Sequence, residues 1–140
     1  MKYRLLLVLQ MLAPLMLVHA ATPNEAMEAK RLRGECVEAG NQGEMNACAT
    51  ADFYEADLEM NELYKTQLYR LHDQAAARLR DAQRAWVKFR DAACLYEAGL
   101  ESESGSIWPM DQNRCMTTHT KQRIEDLKSY VACTQNGCPD

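Results

Sequence analysis

The stretch "AQRAWVKFRDAAC", residues 82–94, decides how the rest of the chain is read. Its apolar residues recur at steps of three and four, the spacing that puts side chains on one face of a helix at about 100° per residue. Leu79, Ala82, Trp86, Phe89, Ala93 and Cys94 fall in one arc, with Asp81, Arg84, Lys88 and Asp91 on the opposite side. Gln83 and Arg90 break the pattern by falling inside the apolar arc. The segment therefore reads as a helix that turns polar groups toward whatever covers it.

Outward from this segment the same spacing continues. A short first helix fits residues 24–37, with Asn24 or Thr22 as cap and Pro23 just outside. "AGNQGEMN" (39–46) reads as a turn, because Gly40, Asn41 and Gly43 tolerate left-handed backbone. A second helix is expected from 44 toward 71, where Met45, Cys48, Ala49, Asp52, Ala56, Met60, Leu63, Gln67 and Leu71 recur. A single rod from 44 to 98 would be about 80 Å long at ~1.5 Å per residue, too long for a compact domain of this size. A break is therefore expected at His72–Asp73, with Asp73 as the new cap. Gly99 ends the third helix and "LESESGSIWPM" (100–110) follows as a loop. A fourth helix at 111–131 places Met116, Thr120, Arg123, Ile124, Leu127 and Val131 on one face. The expected fold is all-α: a compact, disulfide-stapled bundle of about four helices in one domain, 21–140, ending in a short tail.

The start of the chain, "MKYRLLLVLQMLAPLMLVHA", has a basic end (Lys2, Arg4), an apolar run and small residues at Val18 and Ala20. It reads as a signal peptide, residues 1–20, with a cut after Ala21 as the alternative. The run is short for a membrane anchor, and no cysteine stands at the boundary to carry a lipid. Removing Lys2 and Arg4 leaves 14 basic against 20 acidic side chains, a net charge of −6. That balance argues against nucleic acid and anionic membranes as partners.

Six cysteines, Cys36, Cys48, Cys94, Cys115, Cys133 and Cys138, follow the signal peptide. An even count in an exported chain implies a disulfide framework, and the absence of Cys-x-x-Cys makes metal binding a poor second reading. Local geometry selects one pattern from the 15 formal connectivities. Cys36 and Cys48 flank the first turn, Cys94 and Cys115 flank the long loop, and Cys133 and Cys138 close the tail. A periplasmic or secreted location in a bacterium is expected.

A guanidinium that faces a core must find an acceptor. Asp57 is the natural partner of Arg90 or Arg123, with Asn61, Tyr64, Gln83 and Thr120 satisfying the remainder. The group reads either as a structural network that fixes helix pairing or as a polar pocket at the helix junctions. The structural reading is favoured, since buried polar groups must be paired in any fold.

Taken in order, "C…EMNAC", "ADLEMNELY", "LRDAQRAWVKFRDAAC", a Gly/Ser loop and "CMTTHTKQRIEDL" resemble the LprI-like lysozyme-inhibitor domain, a small helical, cysteine-containing module of bacterial secreted and envelope proteins. The resemblance covers residues 36–127. Its pattern falls on Cys36, Cys48, Asp57, Asn61, Tyr64, Gln83, Trp86, Arg90, Cys94, Cys115, Thr120, Arg123 and Leu127. Met60 stands where the family usually has leucine. Cys133 and Cys138 look like an addition, and the anchoring cysteine of lipidated members is absent.

No enzyme is expected. Only His72 and His119 follow the signal peptide, no serine or cysteine sits in a nucleophile motif, and no histidine pair suits zinc. No cofactor is implied. His72 is expected to be solvated and His119 packed. Glu55, Glu59 and Glu62 read as an exposed helix face rather than a glycosidase pair. Two functions follow. The resemblance implies a protein that binds and inhibits lysozyme, through the loop carrying Glu101, Glu103, a flexible tip at Ser104–Ser106, and Trp108 as anchor. In the other view of the loop, Trp108 folds back over the core beside Cys94–Cys115. The alternative function is an envelope module that binds another periplasmic protein or a cell-wall fragment without inhibiting lysozyme, through an apolar patch involving Tyr69 or Tyr96.

Overall fold

A computed structural model describes residues 23–36 and 40–139. The expected signal peptide, Thr22 and Val37 lie outside those residues. Every regular element among the described residues is helical: α1 Pro23–Glu35, α2 Gln42–Arg70, α3 Asp73–Ala98, α4 Glu101–Ser104, a 3-10 turn Gly105–Ile107, and α5 Trp108–Ala132. The expected four helices thus resolve into three long ones and a short first one, with two further helical turns inside the expected loop.

Capping chemistry moves the boundaries. Pro23 is the first residue of α1 rather than lying outside it, in keeping with proline's fit to the first helical turn. The Asn41 side chain accepts from the Glu44 N–H at 3.0 Å, and the Glu44 carboxylate accepts from the Gly40 N–H at 2.8 Å. This reciprocal arrangement starts α2 at Gln42, two residues before the expected start. The break after Arg70 falls where length demanded it, yet His72 rather than Asp73 takes the cap position. Leu71 and His72 are extended, and Asp73 turns the chain with φ at +39°, a conformation aspartate tolerates better than most residues. Ala75 and Ala76 then donate to the His72 carbonyl. Gly99, with φ at +71°, ends α3 as expected.

Contacts fix the topology. Arg33 on α1 pairs with Asp52 and Glu55 on α2, so these helices run antiparallel. Arg90 with Asp57 makes α3 antiparallel to α2. Thr50 with Asn113 and Glu59 with Lys128 make α5 parallel to α2, its most extensive packing partner. The main apolar core occupies the end of the bundle near the α2–α3 turn: Ala56, Met60, Tyr64, Leu79, Ile124 and Leu127, flanked by Leu63, Leu68, Leu71, Trp86 and Tyr130. A smaller cluster of Leu32, Ala47 and Ala51 joins α1 to α2.

The three disulfides pair as local geometry selected: Cys36–Cys48, Cys94–Cys115 and Cys133–Cys138, with Cα separations of 4.9, 5.6 and 5.6 Å. The first two tie separate helices, whereas the third closes only the tail. Loop closure in the chain-entropy model is worth about 3 kcal/mol for Cys94–Cys115 and about 2 kcal/mol for the short tail loop. Replacing Cys94 and Cys115 together by serine should therefore lower unfolding stability in urea by about 1 kcal/mol more than replacing Cys133 and Cys138. Equal losses would show that both bridges act only locally.

Candidate functional site

The α3 stripe that faces the bundle is Ala76, Leu79, Gln83, Arg90 and Cys94. This corrects the sequence reading: Ala82 is exposed and Phe89 is 58 % exposed, while Gln83 is completely buried. Midway along α3 the inward face is polar, Gln83 and Arg90, with Trp86 half-buried and Ala82 and Phe89 turned outward, while Ala76, Leu79 and Cys94 bury apolar surface on either side.

These polar groups form a layer between the apolar end of the bundle and the Cys94–Cys115 bridge. Arg123 Nε donates to Gln83 Oε1 at 3.0 Å, and Gln83 Nε2 lies 3.4 Å from the Met60 sulfur, so one contact chain crosses α5, α3 and α2. Arg123 also reaches Asp126 at 3.5 Å and lies over the Tyr130 ring. Arg90 makes its shorter bonds, 3.0 and 2.9 Å, with the adjacent Asp91 and a longer one, 3.4 Å, with Asp57. Its guanidinium lies over the Phe53 and Trp86 rings, 5.4 and 5.2 Å from their centroids. Asn61 donates to Asp57 at 2.8 Å.

Asp57 therefore serves Arg90, and Arg123 is served by Gln83 and Asp126. Thr120 is fully buried, but its hydroxyl has no hydrogen-bond partner among the described residues, contrary to the role expected for it. Tyr64 packs in the apolar cluster, and burial raises its phenol pKa above the usual 10. Sequence reasoning missed Phe53, Asp91, Asp126 and Tyr130. The adjacent Arg90–Asp91 pair was a signal, obscured because neighbouring residues point about 100° apart on a helix. Long side chains bridge that angle.

The second group is the α3–α5 connection. Instead of a loop with a flexible tip, it folds as α4 and a 3-10 turn fastened at several points. Trp108 Nε1 donates to the Gly99 carbonyl at 2.9 Å, and Asn46 Nδ2 donates to the Ser106 carbonyl at 2.9 Å. The Ser104 hydroxyl donates to the carbonyls of Ala98 and Leu100, and the Cys94–Cys115 bridge closes the base. Trp108 is thus half-buried with its indole N–H committed to the fold, closer to the view that folds it back than to a protruding anchor. Leu100 and Ile107 are exposed in its place. Glu101 and Glu103 are exposed, and neither enters an ion pair or side-chain hydrogen bond among the described residues.

The acidic face of α2 differs. Arg33 bridges Asp52 and Glu55, Lys65 meets Glu62, and Lys128 bridges Glu59 and Glu125. Hydrogen bonds to those two carboxylates hold Lys128 above its ordinary pKa. His72 is exposed, while His119 is partly buried beside Glu97 and edge-on to Phe89. His119 approaches Cys94 and Cys115, but their sulfurs are bonded to each other and present no thiolate to a metal. Among the described residues no helix is long and apolar enough to cross a membrane.

Two predictions follow from the interior. Arg123→Met leaves the buried Gln83 oxygen without its donor and should cost about 2–3 kcal/mol in urea unfolding. Adding Gln83→Leu should return part of that loss, a coupling of about 1 kcal/mol or more, whereas strict additivity would mean the two side chains act independently. For Tyr64, a phenol pKa raised by folding stabilises the native state below pH 10 and loses that contribution as pH rises through the folded value. Wild type should therefore lose more stability than Tyr64→Phe above pH 10; parallel curves would contradict the burial of the phenol.

Comparisons with known proteins fit this architecture. Residues 34–127 match the family model described as lysozyme inhibitor LprI. An uncharacterized protein of Rhizobium meliloti (strain 1021) is 31 % identical over 121 residues, covering 77 % of this chain and 86 % of the relative. No solved structure matches the chain significantly.

Proposed function

The chain belongs to the LprI lysozyme-inhibitor family, and from that premise we propose that it is an exported, non-catalytic protein that binds lysozyme and inhibits it. The observation that carries the reading is the fastened acidic turn: Glu101 and Glu103 stand without partners among the described residues on a knuckle held by Trp108, Asn46 and a disulfide. A surface held in one shape loses little conformational entropy on binding. Many lysozymes are strongly basic, so two solvated carboxylates would meet arginines or lysines at the partner's surface. Leu100 and Ile107 supply apolar area beside those charges. The negative charge of the chain speeds encounter with a basic protein, an effect that weakens as salt rises. An exported location suits three disulfides, which persist in oxidising compartments.

The envelope-module alternative draws on a different surface. Ala82, Ala85, Phe89, Ala92 and Tyr96 are all exposed and recur at steps of three and four along α3, with Tyr96 90 % exposed. Such a stripe suits a partner helix or sheet face. Co-purification from periplasmic extract separates the readings. A stoichiometric endogenous partner supports the module, and capture on immobilised lysozyme alone supports the inhibitor.

The direct test titrates the oxidised protein into a cell-wall clearing assay with several lysozymes. Clearing should slow at micromolar inhibitor, and Glu101→Lys with Glu103→Lys should weaken inhibition by about tenfold or more, the scale of a lost charge-assisted contact. No slowing by the wild type would remove the inhibitor reading. Unchanged potency of the double variant would move the contact away from the knuckle.

A further inference from the structure

Helix α3 carries two apolar faces, and the bundle covers one of them. Ala76, Leu79 and Cys94 turn inward, whereas Ala82, Ala85, Phe89, Ala92 and Tyr96 stay exposed. Those five follow one another at alternating steps of three and four, the a and d positions of a heptad. Exposed alanine is ordinary on a helix, but two large rings in the same seam form a patch rather than scattered surface residues. Phe89 is 58 % exposed and Tyr96 90 %.

Charge runs along the same stretch in one direction. Arg84 pairs with Asp81 and Arg90 with Asp91 within α3, so those pairs nearly cancel. Across residues 76–104 this leaves Arg78, Arg80 and Lys88 in the first part, and Glu97, Glu101 and Glu103 at the end and in the knuckle, all exposed. Two copies aligned in parallel would set like charge beside like. Antiparallel copies set the basic part of each beside the acidic end of the other, an arrangement complementary to itself.

We propose that this seam is the interface of a two-fold homodimer in which α3 pairs antiparallel with α3 of a second copy. In the register that brings Phe89 level with Ala92 of the other copy, Tyr96 comes level with Ala85, and Ala82 with Gly99. Every ring then meets an alanine, large against small, which lets the helices approach closely. The same register lays residues 78–88 alongside residues 93–103 of the other copy. At ~200 Å² per ring, the exposed parts of the four rings bury about 600 Å², and the alanines extend that area. The total is still short of the ~1,200 Å² of stable complexes, so a reversible dimer with a Kd on the order of 10–100 µM is expected. The proposal stands apart from lysozyme inhibition, because mass in solution is read without lysozyme.

The experiment is sedimentation equilibrium of the oxidised protein across that concentration range. Wild type should pass from monomer to dimer. Ala92→Glu sets a carboxylate against Phe89 of the other copy, at an exposed position where glutamate supports the helix, and should weaken association at least tenfold with an unchanged melting temperature. Orientation is read from the distance between spin labels at the exposed position of Ala77, one on each copy. Antiparallel pairing in this register puts them about 40 Å apart at ~1.5 Å per residue, and parallel pairing within about 25 Å, two helix diameters. The proposal is overturned if wild type stays monomeric at about 1 mM, a hundredfold above the tighter expected Kd. It is equally overturned if Ala92→Glu dimerises like wild type, or if the labels report the shorter distance. A different protein held on the seam while the chain itself stays monomeric also counts against it.

Discussion

Two guanidinium groups inside a bundle of three long helices set the terms for everything else in this fold. Arg90 and Arg123 are each 7 % exposed, and a guanidinium cannot shed its charge to escape that burial. Each must be surrounded by acceptors and ring faces supplied from other helices or from the adjacent turn. Arg123 meets this need through Gln83, whose amide nitrogen approaches Met60, and Arg90 meets it through Asp91, Asp57 and two aromatic rings. A slip of α3 by one residue along its neighbours would break Arg123–Gln83 and Arg90–Asp57, leaving each guanidinium only the carboxylate on its own helix. Apolar side chains alone would tolerate several registers of three such helices; this layer tolerates one.

That constraint also separates cohesion from recognition. With Trp86 over Arg90, Trp108 bonded to Gly99 and Tyr64 inside the core, much of the aromatic chemistry that serves binding surfaces elsewhere is used internally. Under the proposed function, recognition falls to what the fold holds outward: the acidic knuckle between α3 and α5, or the exposed stripe of α3 with Phe89 and Tyr96. The disulfides extend the same division. Cys94–Cys115 clamps the base of the knuckle, and Cys133–Cys138 shapes a tail that reinforces no helix pair.

Much of this was legible in the sequence, for physical reasons that can be named. The α2–α3 break was readable without any glycine or proline, because an uninterrupted rod would exceed the size of the domain. The cystine pairs followed from cysteines that flank turns. Arg90 and Gln83 announced themselves as polar residues on an apolar arc. The α3 face was misjudged by a fraction of a turn, since weighting Phe89 and Ala82 as core pulled the arc away from the polar side chains that actually face inward. The knuckle was read as a loop because glycine and serine dominate it. Its helical turns depend on hydrogen bonds from Trp108 and Asn46, partners distant in sequence or fixed only by the fold. That the Thr120 hydroxyl finds no partner among the described residues has no sequence signature, because satisfaction of a buried group is a property of the packed state.

The central claim is that binding is carried by the rigid outer knuckle while the interior polar layer only holds it in shape. Hydrogen exchange of the oxidised protein, alone and with a saturating basic lysozyme, tests this most directly. The account predicts slowed exchange across the backbone amides of residues 99–107, with the amides around Gln83, Arg90 and Arg123 unchanged. Slowing at those interior positions with none at the knuckle would contradict it.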